Sequence, residues 1–175
     1  MMDSHETVAL VVAGVAAFAL QLISAPYICI GPAMPNFIVV FVFLCVVTRA
    51  QIFGCVAPFV LGLVYDFLSG NPVGAMAFSL TLFSFIGARV YSAMENDTLF
   101  MPLAVMGAGI LLTETAYGLF LLATGYNAGF FEAFALRALP CAVYDCVVAF
   151  LLYPLAVRLF APSGPTSPIV ASQLR

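Results

Sequence analysis

Six long apolar segments joined by short loops fill nearly all of this chain. A spanning helix needs about 20 mostly apolar residues, so six spans and their turns use up the 175 residues and leave no room for a soluble catalytic domain. Charged residues are 7% of the sequence and hydrophobic residues 65%, and every basic residue is an arginine. A water-soluble domain carries roughly a quarter of its residues as charges. The composition therefore predicts an all-α integral membrane protein of six transmembrane helices.

The spans are expected at 7–24, 37–48, 51–68, 72–91, 98–124 and 133–160, within one membrane domain over 1–160. The second is short, which suggests that it begins within the preceding loop or tilts less than its neighbours. In the first, small residues (Ala13, Gly14, Ala16, Ala17) permit close helix packing. Asn71-Pro72 reads as an N-cap followed by proline at the first helical position. Pro140 and Pro154 are expected to kink or end the sixth span. Residues 161–175, with three prolines and four small hydroxyl residues, read as a disordered tail. Asp3 and Glu6 stand where a cleaved signal would be positive, so cleavage is not expected.

Arginine placement sets the orientation. With the N-terminus inside, Arg49, Arg89, Arg158 and Arg175 fall on the cytoplasmic side and Arg137 alone falls outside. That bias predicts cytoplasmic termini. The net charge of −3 is too small and scattered to point to nucleic acid.

Few residues could carry chemistry. The five cysteines show no metal or redox spacing, and the single histidine, His5, lies in the polar leader. No nucleophile elbow, zinc-protease, P-loop or dinucleotide pattern occurs. Neither a metal nor a cofactor is expected, and the chain reads as non-enzymatic. Three acidic residues lie at membrane depth: Asp66 in the last turn of the third span, Glu114 in the fifth and Asp145 in the sixth. A carboxylate at the bilayer centre costs roughly 2.5–3.5 kcal/mol on insertion scales. Each must face the bundle, be protonated or find a partner. Arg137 matches Asp66 in depth, and Arg137, Cys141 and Asp145 recur at helical spacing. A proton or substrate path is one reading of these acids, and polar contacts between helices the favoured one.

The stretch Gly62-Leu63-Val64-Tyr65-Asp66-Phe67-Leu68-Ser69-Gly70-Asn71-Pro72-Val73-Gly74 resembles the signature of the MreD family of rod shape-determining proteins. There a glycine-rich third helix ends in an aspartate, a small-residue turn follows, and a glycine opens the next helix. Gly62, Asp66, Gly70 and Gly74 match these positions. Pro35-Asn36-Phe37 is similar to the family's Pro-Asn start of the second helix, and Arg49 to the basic residue that closes it. The physics of the motif points to a rigid helical hairpin: glycine tolerates positive φ at the turn, and Asp66 can accept hydrogen bonds from it or pair across the bundle.

The resemblance implies a bacterial inner-membrane scaffold of the cell-elongation complex, with no covalent chemistry. It would bind the single-span protein MreC and help to link MreB filaments to the peptidoglycan synthases, RodA and its transpeptidase partner. The family is thought to share a fold with the substrate-binding subunits of energy-coupling-factor vitamin transporters. The alternative is accordingly a small-molecule-binding transporter subunit with Glu114, Asp145 and Arg137 lining a pocket. A membrane-embedded enzyme is a weaker third option.

Overall fold

The computed structural model describes residues 4–25, 27–29, 34–49, 55–70, 72–93, 99–125, 129, 131, 134–135 and 138–160. They form six main helices: α1 (Ser4–Ile23), α2 (Phe37–Arg49), α3 (Val56–Ser69), α4 (Ala75–Ala93), α5 (Phe100–Ala123) and α6 (Leu139–Phe160). Three of these, α4, α5 and α6, are long and apolar enough to cross a membrane; α1, α2 and α3 present shorter apolar stretches.

The organising element is α2, against which α1, α4, α5 and α6 all pack. Its Ile38–Val47 side chains and Arg49 are all buried, so it has no lipid-facing stripe. At 13 residues it is about 20 Å long, against roughly 30 Å for a bilayer core. The helix starts at Phe37 and does not extend into the preceding loop, contrary to one sequence-based explanation of its length. A helix ringed by protein need not match the membrane thickness, because other helices meet the lipid for it. The outer surface is the reverse of a soluble protein's. Val8, Val12, Val15, Val56, Phe67, Val143 and Leu151 are all exposed.

Small residues set the closest crossings. A Cβ on Gly62 of α3 would lie 2.5 Å from the Ala77 Cα of α4, so backbone meets backbone there. A Cβ on Gly109 of α5 would lie 2.0 Å from Cε1 of the fully buried Phe43 in α2. The hydroxyls of Ser79, Thr81, Ser84 and Thr113 donate to carbonyls of their own helices, which satisfies them inside the bundle.

Several boundaries differ from the sequence-based spans. The fourth helix opens at Ala75 and not at Pro72, because the Ala75 amide donates to the Pro72 carbonyl and Gly74 takes φ +101°. Asn71, the expected cap, lies outside the described residues, as do 51–54 of the third span and the tail. The regular sixth helix begins at Leu139, with π-type geometry at 134, 135 and 138. Pro140 sits in its first turn, where a missing N–H leaves no bond unmade, and Pro154 lies inside a helix that continues to Phe160.

Candidate functional site: two capped helix starts and two apolar grooves

Both ends of the α3–α4 hairpin are built from the glycine–aspartate motif. Gly70 ends α3 with φ +66°, a left-handed C-cap that glycine adopts without a Cβ penalty. Four residues earlier, one turn back along α3, Asp66 is fully buried. Its Oδ2 accepts the backbone N–H groups of Gly74 (2.9 Å) and Ala77 (3.2 Å), and the Met76 N–H reaches both carboxylate oxygens (3.1 and 3.2 Å). The first amides of a helix have no intrahelical acceptor and carry the positive end of its dipole. Asp66 therefore caps α4 from the neighbouring helix, in the role that the sequence suggests for Asn71. Gly62 lies one turn further back on the same face and lets the two backbones close. Asp66, Gly62, Gly70 and Gly74 thus act on one junction. Arg137, the proposed partner of Asp66, lies outside the described residues.

A second capped start lies beneath the N-terminus of α2, and it is built from four elements. The Asn36 side chain accepts from Val39 N–H at 3.3 Å, as an N-cap does. Asn36 N–H donates to Asp145 Oδ1 of α6 at 2.7 Å, and Asn36 Nδ2 donates to Glu114 Oε1 of α5 at 3.3 Å. Gln21 of α1 completes the ring: its Oε1 accepts from Phe37 N–H at 2.8 Å and its Nε2 donates to the Pro35 carbonyl at 3.4 Å. Asp145 is 0% exposed, Asn36 3%, Glu114 6% and Gln21 7%, so the cluster is closed. Asp145 Oδ2 is buried and has no hydrogen-bond partner among the described residues. Sequence reading grouped Glu114 with Asp145 as acids at membrane depth and treated Asn36 apart, at the start of the second helix; the structure brings all three together. It missed Gln21, whose signal is a lone amide within an apolar helix.

At the other end of α2, the Arg49 guanidinium is buried and its Nε–H donates to the Phe160 carbonyl at the end of α6. A cation on the last carbonyls of a helix is favourable because the dipole is negative there. Both ends of α2 are thus tied to α6.

Two apolar grooves flank α1. One, about 510 Å³, lies between α1 and α3 and is lined by Val11, Gly14, Phe18, Phe41, Val60 and Val64 among others. The other, about 540 Å³, lies between α1 and α6, beside Ala13, Ala16, Leu44, Leu152 and Leu155. Neither contains the buried carboxyls.

Among the described residues, no group of three or more metal-ligating side chains converges. The geometry is that of an assembled helix bundle with interfacial grooves. Comparison with known proteins finds no matching curated protein and no matching solved structure. A family model described as rod shape-determining protein MreD matches residues 4–162. With that match running through both capped helix starts, the chain belongs to the MreD family of bacterial membrane proteins that determine rod shape.

Proposed function

We propose that this protein is a non-enzymatic, multi-pass scaffold of the inner membrane, in which all six helices cross and both termini are cytoplasmic. Its work is to hold the single-span protein MreC and, through it, to help connect MreB filaments with RodA and its transpeptidase partner in peptidoglycan synthesis. The observation that carries this reading is the apolar groove between α1 and α3. Its lining is apolar, as the face of a single partner helix would require, and Gly14 would leave room for close approach. The two capped helix starts would keep the groove's walls in place, Asp66 with Gly62, Gly70 and Gly74 on one side, Asn36 with Glu114 and Asp145 at the centre, and Arg49 at the far end of α2.

The test is thiol cross-linking in a cysteine-free background. Cysteines at Val11 and Val60, both exposed on the groove, should cross-link to the MreC helix. One at Leu151, exposed on the outer face of α6, should not. Cross-linking at Leu151 alone would move the interface away from the groove.

The transporter-subunit alternative, with its vitamin-transporter-like fold, has less support, because Glu114 and Asp145 are closed off from both grooves. The double variant Glu114→Gln, Asp145→Asn separates the two readings. A scaffold keeps rod shape and partner capture with amides in place. Loss of shape at normal protein level and normal capture would favour the transport-like reading.

A further inference from the structure

The two apolar grooves share one wall, and that wall is fastened at one end. Leu10, Val11, Gly14 and Val15 of α1 line the α1–α3 groove, whereas Val8, Val12 and Ala16 line the α1–α6 groove. Phe41 of α2 lines both, so α1 lies across it as a partition. The fastening is in the second half of the helix. Ala17 (9% exposed) and Gln21 (7%) are the buried side chains of α1 among the described residues. Gln21 holds the Phe37 N–H at 2.8 Å and the Pro35 carbonyl at 3.4 Å. Just beyond the helix, Ala25 is fully buried, and the Tyr144 hydroxyl of α6 donates to the Ile28 carbonyl at 3.1 Å.

The first half has no such hold. Val8–Ala16 contains no polar side chain, and none of its residues is buried. Val8, Val11, Val12 and Val15 are 59–63% exposed, and Ala9, Leu10 and Ala13 reach the core as partly buried side chains. At Gly14 the backbone rests on the edge of the Phe41 ring: a Cβ there would lie 3.4 Å from Phe41 Cε1, so no side chain of its own interlocks with the ring. A helix packed on both flanks cannot tilt without opening voids in a close-packed interior. Here each flank of α1 is a groove instead, and few buried apolar contacts mark an element of low local stability.

We propose that α1 is a hinged partition: its Val8–Ala16 arm rocks about the fixed Ala17–Gln21 end, so that one groove widens as the other narrows. Hinges of this kind are a few residues near the end of an element. The arm from Gln21 to Val8 is about 20 Å long, and a rocking of roughly 15° moves its tip by about 5 Å. Whatever fills one groove therefore sets the width of the other. The inference goes beyond the MreC reading and holds whichever molecule occupies a groove.

Dipolar electron paramagnetic resonance reads the motion, on the full-length and otherwise cysteine-free protein in lipid nanodiscs with no partner added. Nitroxide pairs at Val8–Val56 and Val8–Leu159 report the two grooves from the tip of the arm, and Ile23–Val143 reports the hinge end; all of these positions are exposed. Both Val8 pairs should give broader distance distributions than Ile23–Val143. Val15→Trp, which fills the α1–α3 groove, should lengthen Val8–Val56 and shorten Val8–Leu159 by up to about 5 Å. Val12→Trp, on the other flank, should do the reverse, and neither variant should move Ile23–Val143. Both substituted positions are exposed, so the larger ring leaves the core intact. Val8 pairs as narrow as the hinge pair would overturn the proposal. So would tryptophan variants that leave both Val8 distances unchanged, shift them in the same direction, or move the hinge end as far as the tip. Fraying of the helix end, which broadens both Val8 pairs without opposite shifts, also counts against it.

Discussion

Replacing Asp66 by alanine removes the carboxylate that accepts three backbone amides at the start of α4. Met76 and Ala77 are fully buried, so water cannot take over, and an unsatisfied buried donor costs about 1–3 kcal/mol. Two such amides give roughly 2–6 kcal/mol, to which loss of the charge–dipole attraction adds up to about 1 kcal/mol. Folded domains have about 5–15 kcal/mol in all, so Asp66→Ala should lower the unfolding temperature in detergent by on the order of 10 °C. It should also reduce protein level in the membrane. Asp66→Asn keeps an acceptor oxygen that can occupy the Oδ2 position, where most of these bonds converge, and should lose only about a third as much. The assay is thermal unfolding of the three purified proteins side by side. An alanine variant within about 1 °C of wild type would refute the capping argument. Equal damage from asparagine and alanine would show that charge, as in a pair with Arg137, matters more than the acceptor.

Three further outcomes are expected. Gly62→Ala should destabilise, although alanine normally gains roughly 0.5–1 kcal/mol over glycine inside a helix, because its Cβ would meet the α4 backbone; Gly107→Ala, with 3.6 Å to Phe150, should be neutral or better by the same thermal assay. Gly109→Ala should lose stability through collision with the Phe43 ring, and Phe43→Leu in the same chain should recover part of it, which a double-mutant cycle measures. With a single native cysteine retained, Cys29 should react with an impermeant thiol reagent from outside and Cys55 should not, since both are exposed but lie on opposite sides of the proposed topology; the reverse pattern would invert the orientation.

The α3–α4 junction was legible in the sequence because it is local. Gly62, Asp66, Gly70 and Gly74 fall at four-residue steps, and each has a job that its own turn or its nearest helix defines. The start of α4 was misplaced by three residues for a related reason: Asn71-Pro72 is a good helix opening in isolation, and only the buried carboxylate of Asp66 outcompetes it. The ring around Asn36 was not legible, since its bonds span 78 and 109 residues and hydropathy carries no information about which helices adjoin. The same blindness hid the wrapping of α2. An apolar segment reads alike whether lipid or protein surrounds it, so its short length looked like a boundary error.

The bond from Asn36 N–H to Asp145 also fixes an order of events during synthesis. When α2 enters the membrane its acceptor has not yet been made, and 109 residues separate the two partners in the chain. Until α6 arrives, the amide of Asn36 must stay near the membrane surface, where water can serve it. A nascent chain that stops before residue 139 would carry an unfinished centre, with α2 lacking both its Asp145 cap and its Phe160 anchor. Completion of the bundle around α2 thereby waits for α6, and a chain truncated before it leaves α2 short and without either of these anchors.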